Sequence, residues 1–209
     1  DENALYPING VGLFGSTASD SMVNLMDNLG FYTGCNEYLY KGATPVTNLL
    51  LNVKYLYYHQ EDTLNTDFEY VKREGAFNIY KNPAREMSMG YLMNLSVEDW
   101  DSESAYPFRV QNSLGKQAFG VSELFHNVEI ADPATNGCTA SKTNDGEYYF
   151  EYKSTQADNM VFTIPVTKTI DDLYLFYDGT QVENAQITID GTNVKSGDLD
   201  GYMLPIGKV

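Results

Sequence analysis

Turn dipeptides constrain the second part of the chain more than any other sequence feature. From His126 onward they separate short segments, at Asp132-Pro133, Asn136-Gly137, Asp145-Gly146, Asp178-Gly179 and Asp190-Gly191. Asn-Gly and Asp-Gly favour the tight turns that join antiparallel strands. We predict short strands at 126–131, 147–153, 159–166, 172–178, 185–190 and 201–206. This spacing is typical of an antiparallel β-sandwich, so we predict a jelly-roll-like domain at residues 126–209.

Residues 1–125 mix helical and strand patterns. Apolar residues recur on one helical face up to Leu29, where Gly30 can end a helix, and Thr44 can cap another that begins at Pro45. We predict helices over 21–29, from 45 through Leu51 and over 107–120, the last interrupted at Gly115. We predict a buried strand over 53–59, a hairpin of 68–71 and 76–80, and a strand over 87–95. The predicted class is α+β, with an N-terminal α/β domain over 1–125 that has a small sheet and few helices.

The charge balance narrows the range of partners. The 209 residues carry 13 basic and 29 acidic side chains, a net charge of −16. Such a surface repels nucleic acid, so we exclude a nucleic-acid partner. No window approaches the roughly 20 apolar residues of a membrane-spanning helix. Because the chain also begins without Met, we expect a domain taken from a longer protein.

Carboxylates surround the only tryptophan of the chain. The segment reads Glu98-Asp99-Trp100-Asp101-Ser102-Glu103. An aromatic ring can cover the apolar face of a sugar while flanking carboxylates bind its hydroxyls. A solvated acidic loop with one anchoring tryptophan explains the same residues. Asp99, Trp100 and Asp101 are the candidate ligand-binding residues.

No catalytic, cofactor or metal motif stands out elsewhere. A serine triad would have to use His59 or His126, and neither lies in a recognisable nucleophile context. A carboxylate-pair glycosidase stays open, because that chemistry needs only two well-spaced acids. Asp198-x-Asp200-Gly201 lacks the further oxygen ligands of a calcium loop. We predict no catalytic residue, no cofactor and no metal in this chain.

Two further patterns leave alternatives open. Gly10-x-Gly12-x-x-Gly15 matches a dinucleotide fingerprint formally, but a poor strand precedes it, which favours a simple glycine-rich loop. Cys35 and Cys138 do not have metal-site spacing. They can form a disulfide outside the cytoplasm or remain two isolated buried thiols.

Several motifs over residues 7–125 stand in the order and spacing of a known family. They are Phe14-Gly15-Ser16-Thr17, Leu29-Gly30, Leu49-Leu50-Leu51-Asn52-Val53-Lys54-Tyr55, Ile79-Tyr80-Lys81-Asn82-Pro83, Met89-Gly90-Tyr91, Pro107-Phe108 and Gln111-Asn112. In this order the chain resembles the YfhO family of bacterial multi-pass membrane proteins, and does so more loosely over the strand-rich tail. It departs from the family at Arg85-Glu86-Met87-Ser88, where members tend to have Leu-Pro.

The resemblance implies a location and a role. It implies an extracytoplasmic domain of a polytopic protein that looks like the GT-C glycosyltransferases, which transfer a sugar from a polyprenyl-phosphate donor to envelope polymers such as teichoic acids. The partners would be a cell-envelope glycan or polymer and the membrane-embedded part of the same protein. No position here matches the catalytic loop of that class, so binding or structural support is the implied role. The alternative is a free-standing surface protein that binds carbohydrate.

Overall fold

The computed structural model describes residues 9–59, 67–84, 92–128, 131–143, 148–152, 161–178 and 184–209. The chain forms two compact units. Unit 1 comprises residues 1–125 and 172–208, and unit 2 comprises residues 126–171 and 209. The described residues are mostly strands in small antiparallel sheets with few helices, which confirms the predicted α+β class. The predicted domains, 1–125 and 126–209, stay a prediction.

Three α-helices and one 3-10 helix are described, all in unit 1. They are α1 (Asp20–Asn28), α2 (Pro45–Leu50), the 3-10 helix (Leu95–Asp99) and α3 (Pro107–Phe119). The predicted start of α2 is confirmed, because Thr44 and Thr47 form a reciprocal capping box and Pro45 occupies the first turn. Gly30, with a φ of 90°, follows the end of α1 as predicted.

The described part of unit 1 contains four small antiparallel sheets. Their strands are β1 (Leu13–Phe14), β2 (Thr33–Gly34), β3 (Glu37–Tyr38), β4 (Tyr55–His59), β5 (Glu69–Glu74), β6 (Phe77–Lys81), β11 (Leu173–Leu175), β12 (Ala185–Ile189), β13 (Thr192–Gly197) and β14 (Leu204–Gly207). Two sheets have three strands, in the orders β1-β3-β2 and β4-β6-β5, and two are strand pairs, β11 with β14 and β12 with β13. The predicted hairpin is β5 and β6, which turn at Gly75 with a φ of 59°.

The described part of unit 2 contains two strand pairs. They join β7 (Ala134–Asn136) to β10 (Val161–Thr163) and β8 (Cys138–Lys142) to β9 (Tyr148–Tyr152). The thiol of Cys138 is buried, and its Sγ lies 3.8 Å from the carbonyl oxygen of Val161. These pairs show the predicted antiparallel pattern, and the face-to-face sandwich itself is not confirmed.

The core of unit 1 joins both ends of its sequence. Met26, Leu29, Phe31 and Val110 form a buried cluster between α1 and α3. Residues from the end of the chain are equally buried, among them Leu199, Tyr202, Met203, Leu204 and Ile206. Ring contacts run from Phe108 on α3 through Phe125 to Tyr174 on β11. Residues 172–208 are therefore part of the same unit as residues 1–125.

Some predicted elements differ from the structure. The helix α3 is continuous through Gly115. The lack of a side chain at Gly115 makes room for Leu124, whose Cδ1 lies 2.5 Å from where a Cβ would stand. The strand over 87–95 is wrong in its described part, since 92–94 are irregular and a 3-10 helix begins at Leu95; residues 87–91 lie outside the described residues. The strand over 126–131 is likewise absent at 126–128, and 129–130 are not described. Among the described strands, six were missed: β1, β2, β3, β7, β8 and β13.

Candidate functional site

The ring of Trp100 packs against the core of unit 1 and forms a hydrogen bond within it. Trp100 follows the 3-10 helix, is half-buried and packs against the cluster of Met26, Leu29, Phe31 and Val110. Its indole Nε1–H donates a hydrogen bond of 2.9 Å to the carbonyl oxygen of Val110 on α3. The indole donor and part of the ring are thus engaged within the protein, and only the remaining part of the ring can meet a ligand.

The two flanking carboxylates are exposed. Within the described residues, no lysine or arginine forms an ion pair with Asp99 or Asp101. The Asp101 N–H donates to Ser113 Oγ at 3.1 Å, and Asp101 Oδ1 accepts from the Glu103 N–H at 3.3 Å. Asn28 Nδ2 donates to the carbonyl oxygen of Ser102 at 2.8 Å. The loop is therefore fixed to α1 and α3, while its acidic oxygens stay available to hydroxyl donors.

The structure brings the three predicted residues together on one ordered loop. They combine a partly exposed indole with two solvent-facing carboxylates. That set can contact the apolar face of a sugar ring and accept bonds from its hydroxyls, as the sequence predicts. The same contacts also fit an anchoring tryptophan in an acidic loop. The assignment of Asp99, Trp100 and Asp101 to ligand binding stays a prediction.

A second aromatic surface, on the strand β4, was not predicted from the sequence. The strand over 53–59 was predicted to be buried, but Tyr55 and Tyr57 on β4 are 45% and 48% exposed. Alternation places them on one face, because Leu56 between them takes the buried position on the other face. His59 continues this face and contacts Phe77 across the strand pair, with ring centroids 4.5 Å apart. The sequence signal for this face was the position of the apolar Leu56 between two tyrosines, which places the tyrosines on the opposite face of a strand.

The residues singled out for other chemistry do not assemble into a site. Among the described residues, no group of three or more His, Cys, Asp or Glu side chains could hold a metal ion, and this includes Asp198 and Asp200. Cys35 is an exposed free thiol and Cys138 a buried one, so the described structure holds them as separate thiols. A dinucleotide fingerprint requires a helix after its first glycines, but Gly12 is followed by the strand β1. This arrangement agrees with a simple glycine-rich loop.

Burial raises the pKa of several tyrosines in unit 1, among them Tyr40, Tyr174 and Tyr177. The Tyr177 hydroxyl is buried and has no hydrogen-bond partner among the described residues. Burial, with the nearby carboxylates of Asp200 and Asp198, raises the pKa of Tyr177 to about 12. Lys41 Nζ lies 4.9 Å from the ring centroid of Tyr32 and 4.7 Å from that of Tyr202. These contacts stabilise the region where residues near the chain end pack against the rest of unit 1.

The fold and the candidate loop define a small α+β domain with an acidic, aromatic-bearing surface. Comparison with known families matches residues 4–208 to the family described as bacterial membrane protein YfhO. The chain therefore belongs to the YfhO family of bacterial membrane proteins, which confirms the resemblance seen in its motifs. No curated protein and no solved structure matches the chain. Within the described residues, every helix is too short or too polar to cross a lipid bilayer.

Proposed function

We propose that the chain is an extracytoplasmic domain of a polytopic bacterial membrane protein, located at the outer face of the cell membrane. One observation carries this proposal. The membrane-protein family matches the chain almost from end to end, over residues 4–208, yet the described part contains no helix that could span a bilayer. A domain that lies outside the lipid, next to the membrane-embedded part of the same protein, accounts for both facts.

The parent protein, by its resemblance, transfers sugars from a polyprenyl-phosphate donor to a polymer of the cell envelope. The role of this domain is to hold the acceptor or to support the membrane-embedded part, and it carries no catalytic residue of its own. The net charge of −16 repels a phosphate-rich polymer. A neutral glycan, or a teichoic acid whose charge is masked by cations or D-alanyl groups, is therefore the expected acceptor.

The candidate contact surface is the loop that carries Asp99, Trp100 and Asp101. Its backbone is fixed by Asn28 and Ser113, so binding requires little ordering of the protein. The exposed carboxylates accept hydrogen bonds from hydroxyl groups, and these are the bonds that sugars offer. Replacing Trp100 with alanine would remove core packing as well as a sugar contact, so it cannot separate the two roles.

A glycan-binding screen tests this proposal with paired variants. The variant Asp99→Asn and Asp101→Asn keeps the loop shape and removes its charge. Its control, Asp178→Asn and Asp190→Asn, makes the same charge change at exposed sites elsewhere in unit 1. We expect the wild type to bind a neutral envelope glycan saturably, the loop variant to bind about tenfold more weakly and the control to bind normally. Equal binding by all three proteins would contradict the loop assignment.

A free-standing protein that binds carbohydrate is the second candidate, and the exposed Tyr55 and Tyr57 favour it. Aromatic rings on an open sheet face are a common platform for sugars. Tyr57→Ala added to the same screen separates the two surfaces. Loss of binding in this variant alone would move the site to the sheet β4-β6-β5. The full-length gene decides between the two candidates, because the first requires membrane-spanning segments around this domain.

A further inference from the structure

Five large apolar side chains are exposed in one region of unit 1, which includes the start of the 3-10 helix that ends at Asp99. Leu92 and Leu95 are 102% and 90% exposed, and Met93, Phe119 and Val121 are also exposed. We call this set the apolar patch. Leu92 and Met93 precede the 3-10 helix and Leu95 begins it, whereas Phe119 ends α3 and Val121 follows that helix.

Backbone contacts place the two halves of the apolar patch side by side. The Asn94 N–H donates to the carbonyl oxygen of Ala118 at 3.0 Å, and Ser96 Oγ donates to that of Gln117 at 2.7 Å. At the end of α3, Gly120 takes a left-handed conformation with a φ of 70°, and the Val121 N–H returns to the Gly115 carbonyl. This turn keeps Val121 beside the helix end. The exposed side chains therefore share one region of the surface.

Exposure of this kind costs free energy in water unless something covers it. Single exposed leucines are common, but a group of five large apolar residues usually marks a contact surface. Leu92 and Leu95 protrude almost completely into solvent, so they do not line a groove that could receive a folded partner. The apolar patch also lacks the Trp, Tyr and Arg side chains that dominate protein interfaces.

We propose that the apolar patch inserts into the surface of a lipid bilayer and docks this domain on the membrane. Hydrocarbon accepts protruding leucine, methionine and phenylalanine side chains without needing a complementary pocket. The chain belongs to a family of membrane proteins, and its described helices do not cross the bilayer, so a lipid surface is the large apolar phase next to it. The five residues of the patch carry no charge that insertion would have to desolvate.

The net charge of the protein sets the lipid preference. A chain of charge −16 is repelled by anionic headgroups, while apolar insertion is indifferent to salt. The domain should bind vesicles of phosphatidylcholine, and adding phosphatidylglycerol should weaken the binding at low salt. Raising the salt concentration should restore the binding, because it screens the repulsion.

Vesicle flotation with phosphatidylcholine vesicles tests the proposal. The variant Leu92→Gln and Leu95→Gln removes apolar surface without adding charge, and both positions are exposed, so the fold should persist. The control, Phe14→Gln and Val71→Gln, makes the same kind of change at exposed apolar sites on β1 and β5. We expect the patch variant to partition at least about tenfold more weakly than the wild type and the control to float normally.

Three results would overturn the proposal. They are the absence of wild-type flotation, equal flotation of the patch variant, and dimerisation in size-exclusion chromatography that the patch variant abolishes, which would assign the patch to a second copy of the chain. Circular dichroism of each variant confirms that any loss does not come from unfolding. Glycan binding is measured on the same variants, and it should not change in the patch variant, so this test and the acceptor-binding test can fail separately.

Discussion

The main-chain N–H of Met203 donates a hydrogen bond of 2.9 Å to the carbonyl oxygen of Gly30. The side chain of Met203 also approaches Gly30 closely, since a Cβ on Gly30 would stand 2.5 Å from Met203 Cγ. The segment that precedes β14 therefore lies against the end of α1. Residues 1–125 alone lack this part of their core.

Truncation tests that dependence and the predicted domain boundary together. A fragment of residues 1–125 loses the buried Leu199, Met203, Leu204 and Ile206 and exposes the surfaces they cover. Burial of each large side chain stabilises a fold by about 1.5–3 kcal/mol, so we expect the fragment to lack a cooperative unfolding transition. Thermal unfolding followed by circular dichroism measures this. A fragment that unfolds cooperatively would show that 1–125 is a domain by itself.

The buried side chain of Gln111 joins three elements of unit 1. Its Oε1 accepts from Thr44 Oγ1 at 2.7 Å, and its Nε2 donates to the Leu29 carbonyl oxygen at 2.7 Å and to Met203 Sδ at 3.1 Å. We expect Gln111→Leu to lower the free energy of unfolding by about 2–3 kcal/mol, because buried partners lose their bonds. Gln117→Leu, on the same helix but half-exposed, is the control in urea unfolding. Equal effects of the two changes would contradict the role of the network.

Two substitutions at Trp100 separate its hydrogen bond from its packing. Trp100→Phe keeps a ring against the core and loses the bond to Val110, which should cost about 0.5–1.5 kcal/mol. Trp100→Ala also loses the packing and should cost about 2–3 kcal/mol. Because the only fluorescent tryptophan is removed, unfolding is followed by circular dichroism. A negligible cost for alanine would contradict the role of the ring in the core.

Gly42 is placed where no other residue fits. Its φ is 94°, and a Cβ would stand 2.0 Å from the carbonyl oxygen of Gly30. We expect Gly42→Ala to destabilise unit 1 by more than about 3 kcal/mol, since backbone must move. Gly75→Ala shares the left-handed conformation, with a φ of 59°, but meets no atom within 4 Å. It should cost only about 1 kcal/mol in the same unfolding measurement. Similar losses at both positions would show that conformation, and not the close approach, decides the cost.

Alkaline unfolding tests the environment of Tyr177. Its pKa of about 12 in the folded protein exceeds the usual value near 10, so the hydroxyl stays neutral in the fold longer than in the unfolded chain. The resulting stability is complete below about pH 10 and is lost as the pH rises to about 12. We expect Tyr177→Phe to reduce that loss and to be neutral or stabilising by about 1 kcal/mol at pH 7, because the buried hydroxyl has no hydrogen-bond partner among the described residues. The exposed Tyr70→Phe is the control, and an unchanged alkaline profile in Tyr177→Phe would contradict the expectation.

Local chemistry explains what the sequence predicted well. The Thr44 cap, the end of α1 at Gly30 and the hairpin turn at Gly75 depend on neighbouring residues alone, and all three were predicted. The strands β8 and β13 were missed because both are rich in polar residues and largely exposed, so they lack the apolar alternation that marks a strand. The family was recognised because the order of its motifs survives without any single strong motif.

Long-range contacts explain what the sequence did not show. The packing of Met203 against Gly30 and the bond from Trp100 to Val110 join residues that no local pattern relates. For the candidate site, the three residues of the loop were predicted from the sequence, but the half-buried state of the indole was not. The exposed face of β4 was hidden because Tyr is equally common on buried and wet surfaces.

The place of Met203 in the core also sets an order of events during biosynthesis. A chain that emerges from its N-terminus exposes α1 and α3 long before residues 199–206 arrive to complete their packing. Closing such a distant contact is slow, and the incomplete core leaves apolar surface uncovered meanwhile. Unit 1 therefore reaches its native packing only after residues 199–206 have been synthesised.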